Sequence, residues 1–463
     1  MSTLAPAVVI DNGSSTTRAG FALEELPSLV FSSNYVVNQK GKVVVGDAEI
    51  AKNPSSEVMT LVEDGVVYNT NNIVHNWQYA YDNLDGGNGV VSSDHPLMIT
   101  EPVWNNSKTK TDLAQIAFEQ LQVPLFSIVK SPLAQLYYMG RSSGLVVEVG
   151  ASVASVTPIL DGIVQQKSSF HTKYAGDFLS LHTLRSLEAK MGYQPLQLDY
   201  TRLLPRKFGV CELSDSFKLY YINQNVLLHF KQTMLYVNEP QQGASGSYYS
   251  LHIQHQHPSL YQLPDSSHVT YGDPDLILLT EPLFVPHLYK LPGIKILEPS
   301  VEKAETHGVS NLILFALKNL EASFMSSVTN ESQSTTANSR FNDILRLLFG
   351  NFLFSGGCSM VPGFSERLCG ELTRLAPLVL PNYLVTGSYK LSINVLRNAG
   401  AGEMSEILDR KFASWLGAAN LSNTLKDSPT EDAGLGNIAL DNWFVSKANY
   451  EELGQDYIVE RFK

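Results

Sequence analysis

The residues best suited to chemistry in this chain come as two similar sets. Val8-Val9-Ile10-Asp11-Asn12-Gly13-Ser14 and Val146-Val147-Glu148-Val149-Gly150-Ala151-Ser152 are each a β-branched run ending in an acid, with glycine two residues on. Such a run reads as a strand feeding a tight turn. There the glycine lets the backbone approach a phosphate and the carboxylate can hold a metal ion or its water. Two such turns facing one another would grip one nucleotide. The copies differ, since the second has Glu148 for Asp11 and Ala151 for the hydroxyl of Ser14. A separate trio, His252, His255 and His257, has a ligand-like spacing. No carboxylate or cysteine stands at a fixed offset from it, so it reads as exposed polar positions and no metal site is expected.

The elements that must position these turns alternate. Ala7–Ile10, His95–Thr100 and Leu145–Val149 read as extended, and Asp112–Leu121 as a helix with Leu113, Ile116, Ala117 and Leu121 on one face. That alternation argues for an α/β layered architecture. Further helices are expected over Phe178–Lys190 and Val309–Leu320. A third strand-to-glycine turn, Phe352-Leu353-Phe354-Ser355-Gly356-Gly357, precedes another helix from about Gly363. Ser326–Arg340 is rich in Ser, Thr, Asn and Gln and reads as a flexible polar insertion; Leu425–Leu440 reads as a second surface loop.

With 463 residues, 44% of them hydrophobic, two domains are expected. No apolar run of membrane-spanning length and no signal-peptide layout is visible, so a soluble intracellular protein is expected. Cys211, Cys358 and Cys369 are too few and scattered for a disulfide framework and read as free thiols. The net charge of −12 argues against direct nucleic-acid binding.

Taken in order, several motifs resemble actin: Asp11-Asn12-Gly13-Ser14 with Ala19-Gly20-Phe21, Val45-Gly46-Asp47-Ala48, His95-Pro96-Leu97 through Thr100-Glu101, Gly140-Arg141-Ser142-Ser143-Gly144, and Ala175-Gly176-Asp177-Phe178-Leu179. The third turn through Pro362-Gly363 and the tail Arg410-Lys411-Phe412 to Trp415, Ser446-Lys447 and Tyr450-Glu451 continue the match, so it covers nearly the whole chain. The resemblance is closest to divergent fungal actin-related proteins that are subunits of SWI/SNF- and RSC-type chromatin-remodelling complexes. Pro158–Gly162 and Gly363–Leu368 suit that branch. Sugar and acetate kinases share the fold, and the actin-like tail separates them from this chain.

The resemblance implies an actin-like ATPase fold of two related ribonuclease-H-like domains flanking a nucleotide cleft. The outer domain would be 1–140 plus 375–463, and the inner one 141–374 with the insertion 326–340. It assigns Asp11, Gly13, Ser14, Ser15 and Arg18 to the first phosphate turn, with Arg18 standing where the family has lysine. Gly150 and Ser152 fall in the second turn, and Gly176, Asp177, Lys231, Gly356, Gly357 and Lys411 in the remaining nucleotide contacts. Several positions depart from the family pattern. Glu148 and Ala151 replace two aspartates that organise the metal and its waters, and Ser131 and Ser155 replace the glutamine and histidine that orient the attacking water. Gln232 replaces a ribose-binding glutamate, and Val361 an aromatic beside the base. Bound but unhydrolysed ATP is therefore expected, with no catalytic residues assigned and with Mg2+ or Ca2+ left open. The segment between Ser33 and Val45 is shorter than actin's intersubunit loop, which disfavours filaments. Tyr137, Gly140, Gly162, Ile163 and Leu421 match an apolar cleft that takes helical partners. The resemblance then implies a nuclear scaffold that pairs with a second actin-related protein and binds a helical segment of a remodeller ATPase. A small accessory subunit is compatible with this, and neither nucleic acid nor membrane is a partner. A slow ATPase gating assembly is the alternative.

Overall fold

The computed structural model describes residues 5–192, 194–203, 212–238, 258–326, 331–383, 393–398, 403–426 and 440–463. The chain forms two compact units, Met1–Ser142 with Arg397–Lys463, and Ser143–Leu396. The return to the first unit thus falls at 397, and the boundary expected at 375 is corrected. The reason is the helix Phe364–Val379: Phe364, Leu368, Leu372 and Ala376 recur every four residues and are fully buried in the second unit's core.

The first unit is built on a mixed six-stranded sheet. Its order is Val445–Ser446, Leu125–Lys130, Leu97–Glu101, Val8–Asn12, Thr16–Phe21 and Leu29–Ser32. Val8–Asn12 runs antiparallel to Thr16–Phe21 and parallel to Leu97–Glu101. Val8, Val9 and Ile10 are all fully buried, because helices cover both faces of the strand. One face meets Trp77 and Phe126, the other Trp415, whose Nε1 donates to Val9 O at 3.1 Å. The shortened segment after Ser33 is a hairpin, Asn34–Val37 against Val43–Val45.

The second unit repeats the arrangement. Gly144–Val149 runs antiparallel to Ala154–Leu160 and parallel to Phe352–Ser355, with Ile163–Val164 and Phe170–Thr172 on the other edge of Ala154–Leu160. Helices Gly176–Lys190 and Val309–Met325 occupy the places that the apolar spacing predicts. The predicted helix Asp112–Leu121 is the Ser107–Gln115 helix continued by a wider π-turn, Ile116–Gln120.

A second expectation is overturned. Within Ser326–Arg340, the stretch from Glu331 onward is helix, part of the single helix Glu331–Gly350. Ala337, Phe341, Leu345 and Leu348 are buried along one face, and that packing outweighs the weak helix propensity of the Ser/Thr/Asn-rich start. The histidine trio, Cys211 and nearly all of the 425–440 loop lie outside the described residues. Among the described residues, no helix is long and apolar enough to cross a membrane.

Candidate nucleotide site

In the first unit the antiparallel register sets Asn12 opposite Thr17, which leaves residues 13–15 as the tip of the turn. Gly13 N–H donates to Thr16 O at 3.1 Å and closes it. Asp11 is only 7% exposed, and both its oxygens are engaged: Arg18 Nη1 donates to Oδ2 at 2.8 Å, and Thr100 Oγ1 to Oδ1 at 2.6 Å. Thr100 arrives there because the parallel register pairs Ile10 with Ile99. The Arg18 guanidinium lies over the turn, since a Cβ on Gly13 would stand 3.0 Å from Arg18 Nη1 and 2.9 Å from Thr16 O. A side chain there would displace the cation. Ser14 and Ser15 are half-buried at the tip.

A buried polar network holds this turn from behind. Ser33 Oγ donates to Gly13 O at 2.6 Å, and Ser33 N–H to Ser15 O at 3.1 Å. Asn12 Nδ2 donates to Thr17 Oγ1 (3.1 Å) and Asn76 Oδ1 (2.9 Å), while Trp77 Nε1 donates to Asn12 Oδ1 (2.9 Å). Thr17, Ser33, Asn76 and Trp77 brace the turn, and sequence reasoning misses them. The available signal is Asn76 itself, a polar residue on the buried Ile73/Trp77/Ala80/Tyr81 face of the helix Thr70–Asn83.

The second turn is closed in the same way, by Gly150 N–H to Val153 O at 2.9 Å, but it is seated differently. Gly176 N–H donates to Gly150 O (3.1 Å) and Asp177 N–H to Ala151 O (2.7 Å). The first two amides of the helix Gly176–Lys190, which would otherwise favour an anion, are therefore taken up by the turn. Lys231 Nζ donates to Gly176 O (3.0 Å) and Ser180 Oγ (2.8 Å), and Cys358 Sγ reaches Gly150 O at 3.5 Å. Burial pushes the Cys358 thiol up to about 11; nearby Lys231 opposes the rise and Asp177 adds to it. Ser155 Oγ donates to Glu148 Oε2 at 3.5 Å, the outer limit of a hydrogen bond. Of the predicted residues, Gly150, Gly176, Asp177 and Lys231 thus form one bonded cluster, with Ser152 half-buried beside it.

In the third turn Gly356 has φ +89°, and a Cβ there would stand 2.5 Å from Val149 O, whereas a Cβ on Gly357 would meet nothing. Gly356 is a packing glycine and Gly357 an open one. Val361 is buried in the core. Lys411 belongs to the first unit, half-buried with its ammonium 5.2 Å from the Phe412 ring centre. The expected partner positions fare unequally. Tyr137 packs edge-on against Trp443, Gly140 and Gly162 both take positive φ, and Ile163 is 66% exposed. Leu421 is 8% exposed and packs in the cluster that contains Trp415 and Met98.

The Actin family model matches residues 3–463. The chain therefore belongs to the actin family, and its layered units are those of an actin-like α/β fold. Members of this family generally bind ATP and a divalent cation. The chain is 27% identical to Actin-related protein 4 of Yarrowia lipolytica, over 98% of this chain and 96% of that one. The branch suggested by Pro158–Gly162 and Gly363–Leu368 is represented by Actin-related protein 7 of Saccharomyces cerevisiae, 28% identical over 97% and 96% of the two chains. A Schizosaccharomyces pombe relative named SWI/SNF and RSC complexes subunit arp42 is 25% identical over 97% of each.

Proposed function

We propose that this chain is a nuclear, non-polymerising subunit of a chromatin-remodelling complex of the SWI/SNF or RSC type, and that it binds ATP as a structural ligand without hydrolysing it. The observation that carries this reading is the end-to-end similarity to a relative whose name places it in those complexes. The site supports the second half. Phosphoryl transfer to water needs a positioned nucleophile and stabilised charge, and Ser131, Ala151 and Ser155 supply neither a long hydrogen-bonding side chain nor a carboxylate. In this reading the chain pairs with a second actin-related protein and orders a helical segment of the remodeller ATPase, with exposed Ile163 part of the receiving surface.

The test is reconstitution. Co-expressed with a second actin-related protein and a helical peptide from a remodeller ATPase, the chain should elute as one ternary species and carry intact ATP on extraction. Failure to bind such peptides, alone or paired, would sink the scaffold reading. The rival, a slow ATPase that gates assembly, predicts phosphate release that Asp11→Ala abolishes, and extracted ADP in place of ATP.

A further inference from the structure

Neither turn, taken by itself, offers a donor set that fits a divalent cation. A magnesium or calcium ion needs oxygen ligands, usually carboxylates with unoccupied lone pairs or the waters they orient. In the first turn Asp11 is 7% exposed and each of its oxygens accepts one hydrogen bond, from Arg18 and Thr100, so the carboxylate is oriented toward the fixed guanidinium. In the second, Glu148 accepts from Ser155 and position 151 is alanine. Among the described residues, no group of three or more His, Cys, Asp and Glu is placed to hold a metal ion. The first turn instead has a fixed cation. Arg18 is held by Asp11 at one Nη and lies over Gly13, and its buried Nε meets no acceptor among the described residues. A guanidinium carries five donors in a planar fork that matches phosphate oxygens, and it never loses its charge.

We infer that this chain holds its nucleotide without a divalent cation, the Arg18 guanidinium supplying at the first turn the positive charge that a metal ion supplies in metal-dependent sites. Asp11 in this arrangement is a positioning residue: it orients the guanidinium and is not a ligand to a metal or its water. The inference rests on the proposed nucleotide binding and adds to it a specific counter-ion.

Equilibrium binding of ATP to the purified full chain, in excess Mg2+ and in EDTA, tests it. The wild-type affinity should change by less than about threefold between the two media. Arg18→Met should weaken binding about tenfold in both, since a charge-assisted contact is lost. Wild-type binding that collapses in EDTA would overturn the inference and leave nucleotide binding standing. Equal affinity of wild type and Arg18→Met would also overturn it. No binding in either medium would remove both readings. Should Arg18→Met fail to fold, as judged by thermal unfolding, the wild-type comparison still decides.

Discussion

The two turns share their closing hydrogen bond, Gly13 to Thr16 and Gly150 to Val153, yet they are braced by different chemistry. The first is held mostly through side chains: Ser33 takes the Gly13 carbonyl through its hydroxyl and Ser15 O through its amide, the Asn12–Thr17–Asn76–Trp77 network fixes the flanks, and a charged pair, Asp11–Arg18, lies beside the tip. The second is held through main chain, its two carbonyls accepting the leading amides of a helix. A helix N-terminus bonded in this way has fewer donors left for a phosphate. The same strand-turn-strand unit has thus become a charged grip in one place and a packing joint in the other. A glycine's role should follow the same division.

Gly356 and Gly13 draw the contrast at its widest. Gly356→Ala puts a Cβ against the Val149 carbonyl in a left-handed conformation, and should cost about 3 kcal/mol or more, read as a fall in Tm or failure to accumulate folded protein. Gly13→Ala meets the Thr16 carbonyl at 2.9 Å and a movable guanidinium without a left-handed backbone, so it should cost less, about 1–2 kcal/mol, while losing most ATP affinity. If both substitutions were equally destabilising, the division between joint and grip would fail.

Asn76 tests whether the first turn depends on side chains. It is fully buried, accepts from Asn12 and donates to Thr17 at 3.2 Å. Asn76→Ala removes one of the bonds that each partner makes in a buried network and should cost about 1–2 kcal/mol by urea unfolding. ATP binding should weaken with it. A substitution without effect on either would mean that the hairpin strands alone hold the turn.

The strands, the two turns and their asymmetry were legible because β-branched runs and glycines act locally. The bracing was not. Asn76 and Ser33 reach Gly13 and Asn12 across tens of residues of sequence, and no spacing encodes that meeting. The helix Glu331–Gly350 was half hidden for a related reason: its polar start resembles a loop, and only the burial of Ala337 and Phe341 reveals the face it offers. Leu421, a position that family likeness gives to partner binding, packs with Trp415 in the first unit, a contact that no spacing encodes. Loss of the second turn's carboxylate could be read directly, whereas capture of Asp11 by Arg18 needed the geometry.

Acid should separate the two braces. His182, on the helix that seats the second turn, is pushed down to about 4 by burial, packs edge-on against Phe178, and its Nε2 meets no partner among the described residues. Its folded pKa lies below its ordinary value of 6.5, so the unfolded chain takes up the proton first. The stabilising contribution is complete above pH 6.5 and is lost as pH falls from there toward 4. Since the ring is only partly buried, the loss should be about 1–2 kcal/mol. His182→Gln should flatten that limb of the stability profile. His75, on the helix that braces the first turn, is more exposed; burial and the nearby Lys42 lower its pKa as well, so its limb should have the same sign and be the smaller. Amides of Gly176 and Asp177 should therefore lose exchange protection in acid before those of the strand Val8–Asn12. The reverse order would mean that the first turn is the weaker joint.

The smallest effect is kinetic and reports the main-chain seat without altering it. Cys358 is buried, its Sγ faces Gly150 O, and burial raises its pKa to about 11, so almost none of it is thiolate near neutrality. Cys369 is partly exposed on the helix Phe364–Val379. Iodoacetamide at pH 8 should label Cys369 readily and Cys358 about a hundredfold more slowly, as mass spectrometry of the native protein would resolve. Lys231→Met removes the charge that opposes the rise in the thiol's pKa, and should slow Cys358 further provided the helix stays seated. If the same substitution speeds the labelling, then losing the ammonium bonds to Gly176 O and Ser180 has opened the joint, and the second turn owes its position to Lys231 as much as to the helix amides.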